Sequence, residues 1–104
     1  MLERKIQNDI LRTFGTDPRL RLWRSNTGAA KIKGRVVRFG VPGSPDLVGI
    51  LPGGIWLGIE VKSETGRQST EQINFMNMVR RFGGVYVLAR SVQDVWDAIG
   101  GYLK

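Results

Sequence analysis

Residues 43–63 read Gly-Ser-Pro-Asp-Leu-Val-Gly-Ile-Leu-Pro-Gly-Gly-Ile-Trp-Leu-Gly-Ile-Glu-Val-Lys-Ser, two apolar runs joined by Pro-Gly-Gly. Glycines suit the positive φ values of a short connection, so the runs predict an antiparallel hairpin with strands over residues 46–51 and 55–63. Successive side chains of a strand point to opposite faces. The second strand therefore places Glu60 and Lys62 on one face and its aliphatic side chains on the other.

The hairpin carries two acids and a lysine that this geometry would bring together. Asp46 begins the first strand, and Glu60 and Lys62 end the second. Mg2+ takes oxygen ligands from one or two carboxylates plus substrate phosphate, and a bound cation helps to deprotonate an attacking water. The pattern Pro-Asp, spacer, Glu-x-Lys is thus typical of a metal-dependent phosphodiesterase. Taken singly, each half is also an ordinary turn or a half-solvated strand.

Outward from the hairpin, the sequence predicts a helix, three or four strands, a helix, a strand and a last helix. The first helix covers residues 2–14, with apolar residues at every fourth position and Gly15 after it. A short strand over residues 20–24 ends near residues 25–28, and residues 31–39 form a loop or ribbon. A capping box at residues 69–72 begins a helix whose predicted apolar stripe is Ile73, Met76, Val79 and Phe82, and residues 85–89 and 91–99 supply the last strand and helix.

The chain has 104 residues, enough for one core, so it predicts a single domain over residues 1–104. The absence of cysteine and histidine excludes disulfides, zinc-finger ligation and a His general base, which leaves carboxylate, lysine and metal chemistry. The longest apolar stretch is too short to span a membrane, and the first residues lack a signal-peptide core. We therefore expect a cytoplasmic protein, and a phage or bacterial setting suits a protein this compact.

The formal net charge is +7, and its distribution is uneven. Residues 1–38 hold ten basic and three acidic residues, whereas residues 39–104 hold six of each, so the whole excess lies in the first third. Concentrated positive charge favours a polyanion partner, although a solvated surface is the alternative. The alternating cations Lys31, Lys33, Arg35 and Arg38, with Arg24 nearby, are predicted to project from one ribbon face toward phosphates.

At these positions the chain resembles the virus-type replication-repair nuclease (VRR-NUC) family of the PD-(D/E)XK nuclease superfamily. The likeness runs through Glu3 with Ile6-Gln7, residues 24–28, residues 43–47, residues 59–63, Gln72 and residues 84–87. The resemblance implies an α/β, three-layer α/β/α, restriction-endonuclease-like fold with a central mixed β-sheet and the element order αβββαβα. It also implies Mg2+ (or Mn2+) dependence and hydrolysis of DNA phosphodiester bonds.

The same resemblance implies roles for single residues. Asp46 and Glu60 would ligate the metal, the carbonyl group of Val61 would add a ligand, and Lys62 would act on the water. Glu3 would be a third carboxylate reaching the metal shell through water, or else a first-turn acid that complements the helix dipole. Gln72 would either complete the capping box or face the metal site.

A chain this short has few loops for base-specific recognition, so it predicts a structure-selective endonuclease acting on Holliday-junction or other branched DNA. Two symmetric cuts favour a homodimer. The last helix is expected to carry more apolar surface than its own core needs, through Val92, Val95, Trp96 and Ile99, followed by Tyr102 and Leu103. Two alternatives stay open. One is a non-catalytic nucleic-acid-binding module on a nuclease fold, and the other is a restriction nuclease without its usual insertions.

Overall fold

The computed structural model describes residues 2–25 and 28–104, so the predicted strand end at residues 26–27 lies outside the described residues. The helices are α1 (Leu2–Phe14), α2 (Thr70–Arg81) and α3 (Val92–Ile99), and a 3-10 turn follows at Gly100–Leu103. The strands are β1 (Arg21–Arg24), β2 (Gly28–Ile32), β3 (Arg35–Phe39), β4 (Leu47–Leu51), β5 (Ile55–Val61) and β6 (Val85–Ala89). Within the described ranges, none of the helices combines the length and the hydrophobicity that a membrane span requires.

Four strands form the central sheet in the order β1-β4-β5-β6. Strand β4 is antiparallel to both β1 and β5, whereas β6 is parallel to β5, so the sheet is mixed as predicted. The predicted hairpin is present, with Leu47 opposite Ile59 and Leu51 opposite Ile55. Gly53 and Gly54 in its turn have φ values of 84° and 78°, which suit residues without a Cβ atom.

The sheet is covered on both faces, which gives the three predicted layers. On one face, Leu57 and Ile59 of β5 are fully buried against Phe14 of α1 and Ile99 of α3. On the other face lies α2, and here the ring of Trp56 packs on Phe75 at 6.0 Å between centroids. The alternation of β5 therefore leaves Glu60 on the α2 face, opposite the main core.

The observed order of helices and strands is αβββββαβα, which differs from the predicted αβββαβα because β2 and β3 add a separate two-stranded ribbon between β1 and β4. Every residue of β3 is exposed. A loop or ribbon was predicted over residues 31–39, but its paired strands were not included in the predicted order. In the described part of the chain no layer covers β3, so its side chains do not alternate between buried and exposed positions.

The ribbon register corrects the prediction that its four cations share one face. Lys31 pairs with Val36, Ala29 with Arg38, and Ile32 with Arg35. Directly paired residues point to the same face and neighbours along a strand to opposite faces. Lys31 and Arg38 therefore share one face, whereas Arg35 lies on the other.

Two predicted apolar surfaces also differ in the structure. Ile73 and Phe82 are 40% and 79% exposed, so a spacing of three residues did not define the buried stripe of α2. On α3 the side chains of Val95 and Ile99 are fully buried in the chain's own core, as is nearly all of Leu103. The expectation of surplus apolar surface on the last helix was therefore wrong for these three residues.

Candidate active site

The β4–β5 hairpin brings Asp46 and Glu60 to the same end and the same face of the sheet. Asp46 directly precedes Leu47, which is paired with Ile59, the residue before Glu60. One oxygen of Asp46 accepts a hydrogen bond of 2.8 Å from the backbone N–H of Val61. The first carboxylate is thus tied to the strand that carries the second.

Glycines allow the segment before Asp46 to lie close to its neighbours. Gly43 has a φ of 83°, and a Cβ atom there would lie 2.1 Å from the carbonyl oxygen of Glu71 on α2. A Cβ atom on Gly58 would lie 2.8 Å from Cγ of Pro45. The turn into Asp46 is therefore packed against both β5 and the first turn of α2.

Glu60 is a buried acid, with 2% of its surface exposed. Its Oε2 atom accepts a hydrogen bond of 2.9 Å from Nε2 of Gln72 and lies 3.6 Å from Nζ of Lys62. Its Oε1 atom is buried and has no hydrogen-bond partner among the described residues. Burial and the negative charge of Asp46 raise the pKa of Glu60 to about 8, against the opposing effect of Lys62.

Lys62 lies on the same face as Glu60, as the alternation of the strand predicted. Its backbone N–H donates to the carbonyl oxygen of Ala89 at 3.0 Å, which extends the pairing of β5 with β6 by one residue. Its side chain is mostly buried, with 16% exposed. The ammonium group is therefore held beside Glu60 with limited access to water.

Gln72 makes two contacts, one with the helix cap at Ser69 and one with the buried acid Glu60. The hydroxyl of Ser69 accepts from the backbone N–H of Gln72, and Oε1 of Gln72 accepts from the backbone N–H of Ser69 at 2.9 Å, which completes the capping box. The Nε2 atom of the same side chain donates to Glu60. One amide thus links the start of α2 to the buried acid.

Glu3 lies at the end of β5 that carries the acids. Its Oε2 atom accepts a hydrogen bond of 3.1 Å from the backbone N–H of Ser63, the residue after Lys62. This contact fixes α1 to the loop that follows β5. Glu3 is thus placed beside the acidic cluster by a backbone contact that neither of its two predicted roles included.

Arg90 was missed by the sequence analysis. Its Nη1 atom donates to the carbonyl oxygens of Ser63 and of Gly66, the latter at 2.8 Å, and lies 3.4 Å from that of Glu64. Its own N–H donates to Asp94 on α3 at 2.8 Å. Arg90 therefore holds the loop whose first residues are Lys62 and Ser63. No local sequence pattern signals a cation that binds carbonyl groups 24 to 27 residues away along the chain.

Tyr86 was also not predicted as a site residue. It is 4% exposed, and its hydroxyl has no hydrogen-bond partner in the described part of the chain. Burial and then the charge of Glu60 raise the pKa of Tyr86 to about 12, so the phenol stays protonated. A neutral O–H donor thus lies on the α2 face near the acids.

The predicted DNA-contacting cations are divided between two places. Arg24 lies on the α1 face of the sheet, where its guanidinium donates to the side-chain oxygen of Asn8. Arg38 lines an open cleft of about 620 Å3 whose other wall includes Ser69 and Gln72 at the start of α2. Gln72 therefore connects this cleft with Glu60, whereas Arg24 is turned away from it.

The donor set fits a hard divalent cation. Asp46 and Glu60 supply carboxylate oxygens, the Val61 carbonyl lies next to Glu60 in the chain, and Oε1 of Glu60 is buried and unpaired among the described residues. A buried anionic oxygen without a partner is costly unless a cation or proton compensates it. Among the described residues no group of three or more His, Cys, Asp or Glu side chains is placed to hold a metal ion, so this donor set contains two acids, Asp46 and Glu60.

Comparisons with known proteins agree with this geometry. A family profile described as the VRR-NUC domain matches residues 3–93. A solved structure titled "VRR_NUC domain" is 25% identical, with a TM-score of 0.65 and a match that covers 98% of each chain. A structure titled "VRR_NUC domain protein" is 20% identical, with a TM-score of 0.64 over 99% of this chain and 88% of that one, and at this identity it shows the fold alone. The comparison with curated proteins found no match.

The profile spans most of the chain and contains Asp46, Glu60 and Lys62 with their neighbours, from Glu3 on α1 to Gln72 on α2. The fold, with its mixed sheet between helical layers, is shared with both solved structures. The resemblance noted in the sequence is confirmed: this chain belongs to the VRR-NUC family, a family of the nuclease type.

Proposed function

We propose that this chain is a divalent-metal-dependent endonuclease that hydrolyses phosphodiester bonds of DNA. The observation that carries the proposal is the unpaired, buried oxygen of Glu60 beside Asp46, with the ammonium group of Lys62 3.6 Å from the other oxygen of Glu60. A purely structural acid would have its oxygens satisfied by donors within the protein. Here one oxygen is left for a ligand.

In this proposal Asp46, Glu60 and the Val61 carbonyl hold Mg2+ or Mn2+, which supplies Lewis-acid chemistry and lowers the pKa of water. Lys62 orients the attacking water and offsets the negative charge that develops on the phosphoryl group. Gln72 keeps the Glu60 carboxylate in its rotamer through its hydrogen bond of 2.9 Å. Glu3 fixes the loop after Lys62 and adds a carboxylate at the margin of the cluster.

DNA is the proposed substrate because one stretch of the chain is rich in basic residues and its ribbon reaches the cleft through Arg38. Residues 18–45 contain seven basic and no acidic residues. Lys31, Lys33, Arg35 and Arg38 of the ribbon are the proposed phosphate contacts, and Arg24 is a weaker candidate because Asn8 already binds it. Few loops surround the site, which favours a branched duplex such as a Holliday junction and a homodimer that makes two symmetric cuts.

A cleavage assay with and without Mg2+ on linear duplex, flap and four-way junction substrates tests this proposal. Cleavage of the branched substrates only in the presence of metal is the expected result. Equal cleavage of all three substrates would refute the structural selectivity. Metal-independent binding without any cleavage would instead support the non-catalytic alternative.

The variants Asp46→Asn and Glu60→Gln are each expected to lower metal-dependent cleavage by at least about a thousandfold, because each removes an anionic ligand while keeping the side-chain shape. DNA binding measured in EDTA should change little. Asp97→Asn, the same acid-to-amide change on the exposed side of α3, serves as the matched control. Wild-type turnover in both site variants would contradict the assignment.

A further inference from the structure

The β2–β3 ribbon exposes apolar side chains on both faces. Ile32 is 52% exposed, Val36 66%, Val37 41% and Phe39 43%. A two-stranded hairpin without a covering layer is at best marginally stable in water. Such a ribbon gains from a partner that receives its apolar side chains.

The tip of the ribbon is narrow. Only Lys33 and Gly34 connect the paired residues Ile32 and Arg35, and they have φ values of 50° and 76°. Two successive positive φ values are those of the type I′ turn, the tight hairpin turn that matches strand twist. Lys33 is the one residue other than glycine with positive φ in the described part of the chain.

The charge around the tip selects the class of partner. Lys31, Lys33, Arg35 and Arg38 lie on the ribbon, which has no acidic residue. A second copy of the ribbon would place like charges side by side, which is unfavourable. A polyanion with apolar surface between its charges suits the ribbon instead.

The major groove of duplex DNA has these properties. It is about 12 Å wide and admits a two-stranded β-ribbon, whereas the minor groove is about 6 Å wide and must be widened by bending or unstacking the DNA before a ribbon can enter. Its walls carry phosphates and its floor carries base edges, including the methyl group of thymine. Cations on both faces of the ribbon and aliphatic groups next to its tip therefore match the walls and the floor of the groove.

We propose that the ribbon enters the DNA major groove tip first, with its two faces toward the two walls of the groove. Ile32 and Val36, on opposite faces next to the tip, then contact base edges, while Lys31 and Arg35, also on opposite faces, contact the phosphates of the two walls. This inference rests on the proposed DNA substrate and deepens it. It assigns the ribbon to holding the duplex and leaves the chemistry to the face that carries Glu60. The ribbon packs against no core layer, so changes at its tip leave the rest of the fold intact.

The test measures binding of a short labelled DNA duplex in EDTA, where cleavage does not interfere. Ile32→Ala/Val36→Ala is expected to weaken binding by at least about threefold at every salt concentration, with an unchanged salt slope because no charge is removed. Replacing Lys31, Lys33 and Arg35 by Gln should instead flatten the plot of log affinity against log salt by about 0.9 for each phosphate that is no longer neutralised. Ile50→Ala, an exposed aliphatic residue on β4, is the matched control.

Two further arms identify the groove and the partner. Replacement of thymine by uracil should weaken the wild type but not the Ile32→Ala/Val36→Ala variant, since that variant no longer touches the methyl group. Netropsin, which fills the minor groove, should not compete. Competition by netropsin would overturn the proposal, and so would wild-type affinity of Ile32→Ala/Val36→Ala for the duplex. A lower molecular mass of the free Ile32→Ala/Val36→Ala protein would also overturn it, because the ribbon would then be a contact between protein chains. This test measures DNA binding and not cleavage. If the ribbon binds DNA as expected but the protein cleaves none, the nuclease proposal is contradicted and the ribbon proposal is not.

Discussion

At the scale of single residues, Glu60 makes the stability of the metal-free protein depend on pH, because a buried acid with one unpaired oxygen resists ionisation. Its pKa is raised from an ordinary 4.5 to about 8 in the folded chain. Between these two values the folded state holds a proton that the unfolded state has released. The metal-free protein therefore loses stability as the pH rises through this range, and below about 4.5 the acid is protonated in both states and adds no pH dependence.

The first prediction follows from this sign. In EDTA the thermal midpoint of the wild type should fall between about pH 5 and about pH 8, whereas Glu60→Gln should lack this part of the decrease. The Glu60→Gln variant should be the more stable protein at pH 8, by on the order of a few kcal/mol. Mg2+ should restore the wild type at high pH and not the variant. Parallel profiles of the two proteins would contradict an ionisable role for Glu60.

Substitutions of Gln72 can separate the effects of its two contacts, the helix cap at Ser69 and the hydrogen bond to Glu60. Gln72→Glu keeps an oxygen that accepts from the Ser69 N–H but replaces the donor to Glu60 by a second acid. Gln72→Ala removes both hydrogen bonds and should cost about 1 kcal/mol through the cap alone. We expect Gln72→Glu to retain most of the stability at pH 7 and to change the pH dependence of Mg2+ affinity, measured by calorimetry. A change in stability without a change in metal affinity would limit Gln72 to capping.

The residues of the hairpin were predictable because their relation is local. A period of two and one tight turn suffice to bring Asp46, Glu60 and Lys62 together. Arg90 and Tyr86 were not predictable, since their neighbours come from β5 and from the loop after it. The sequence could not show that Gln72 makes both contacts, for the same reason. The capping box is local, but Glu60 lies on β5, in a different layer from α2.

At the scale of elements, the loop after β5 depends on Arg90 for its shape. Arg90→Ala should free the carbonyl groups of Ser63 and Gly66, so that Lys62 and the Glu3 side chain are no longer held in fixed positions. Cleavage should fall by about tenfold or more with little change in DNA binding, because positioning of the catalytic group is affected. Arg90→Lys, which keeps the charge but not the fork of donors, should recover part of the rate.

Hydrogen exchange separates this positioning role from a general loss of stability. The amide of Ser63 should exchange faster in Arg90→Ala, while the amides of β4, on the other side of the hairpin, keep their protection. Uniformly faster exchange across the sheet would show that Arg90 supports the fold as a whole.

The helices and strands of the layers were largely predictable, and α1 has the predicted bounds. The ribbon was less so, because strand prediction depends on one face being buried and β3 has none. The sharing of faces within the ribbon required the register, which the turn at Lys33 and Gly34 determines. The apolar stripe of α2 was mistaken because residues three apart drift around a helix, which exposes Ile73 and Phe82.

At the scale of the whole molecule, we predict that the protein forms a homodimer. Two symmetric cuts in a junction require two sites, so light scattering at micromolar concentration should give about twice the monomer mass of 11.6 kDa. Two of the exposed apolar surfaces outside the ribbon are candidates for the interface: Trp96, 36% exposed beside Phe14, and a groove of about 390 Å3 lined in part by Val41, Met78 and Phe82.

Two matched substitutions distinguish these surfaces. Trp96→Glu should lower the mass if α3 forms the interface, as the sequence suggested, and Phe82→Glu then leaves it unchanged. The reverse result would assign the interface to α2. Circular dichroism of both variants monitors the fold, since Trp96 also packs on Phe14 at 4.6 Å between ring centroids. A monomer at every concentration that still cuts both strands of a junction in one encounter would contradict the dimer.

The ribbon lies between β1 and β4, two strands that are already neighbours in the sheet. Its removal would therefore shorten a connection without breaking any pairing of the core. An insertion so placed is free to lengthen, shorten or change its side chains while the acids on β4 and β5 stay where they are. Grafting hairpins of other lengths between residues 25 and 40 is thus a route by which evolution, or an engineer, can retarget this nuclease fold without rebuilding its chemistry.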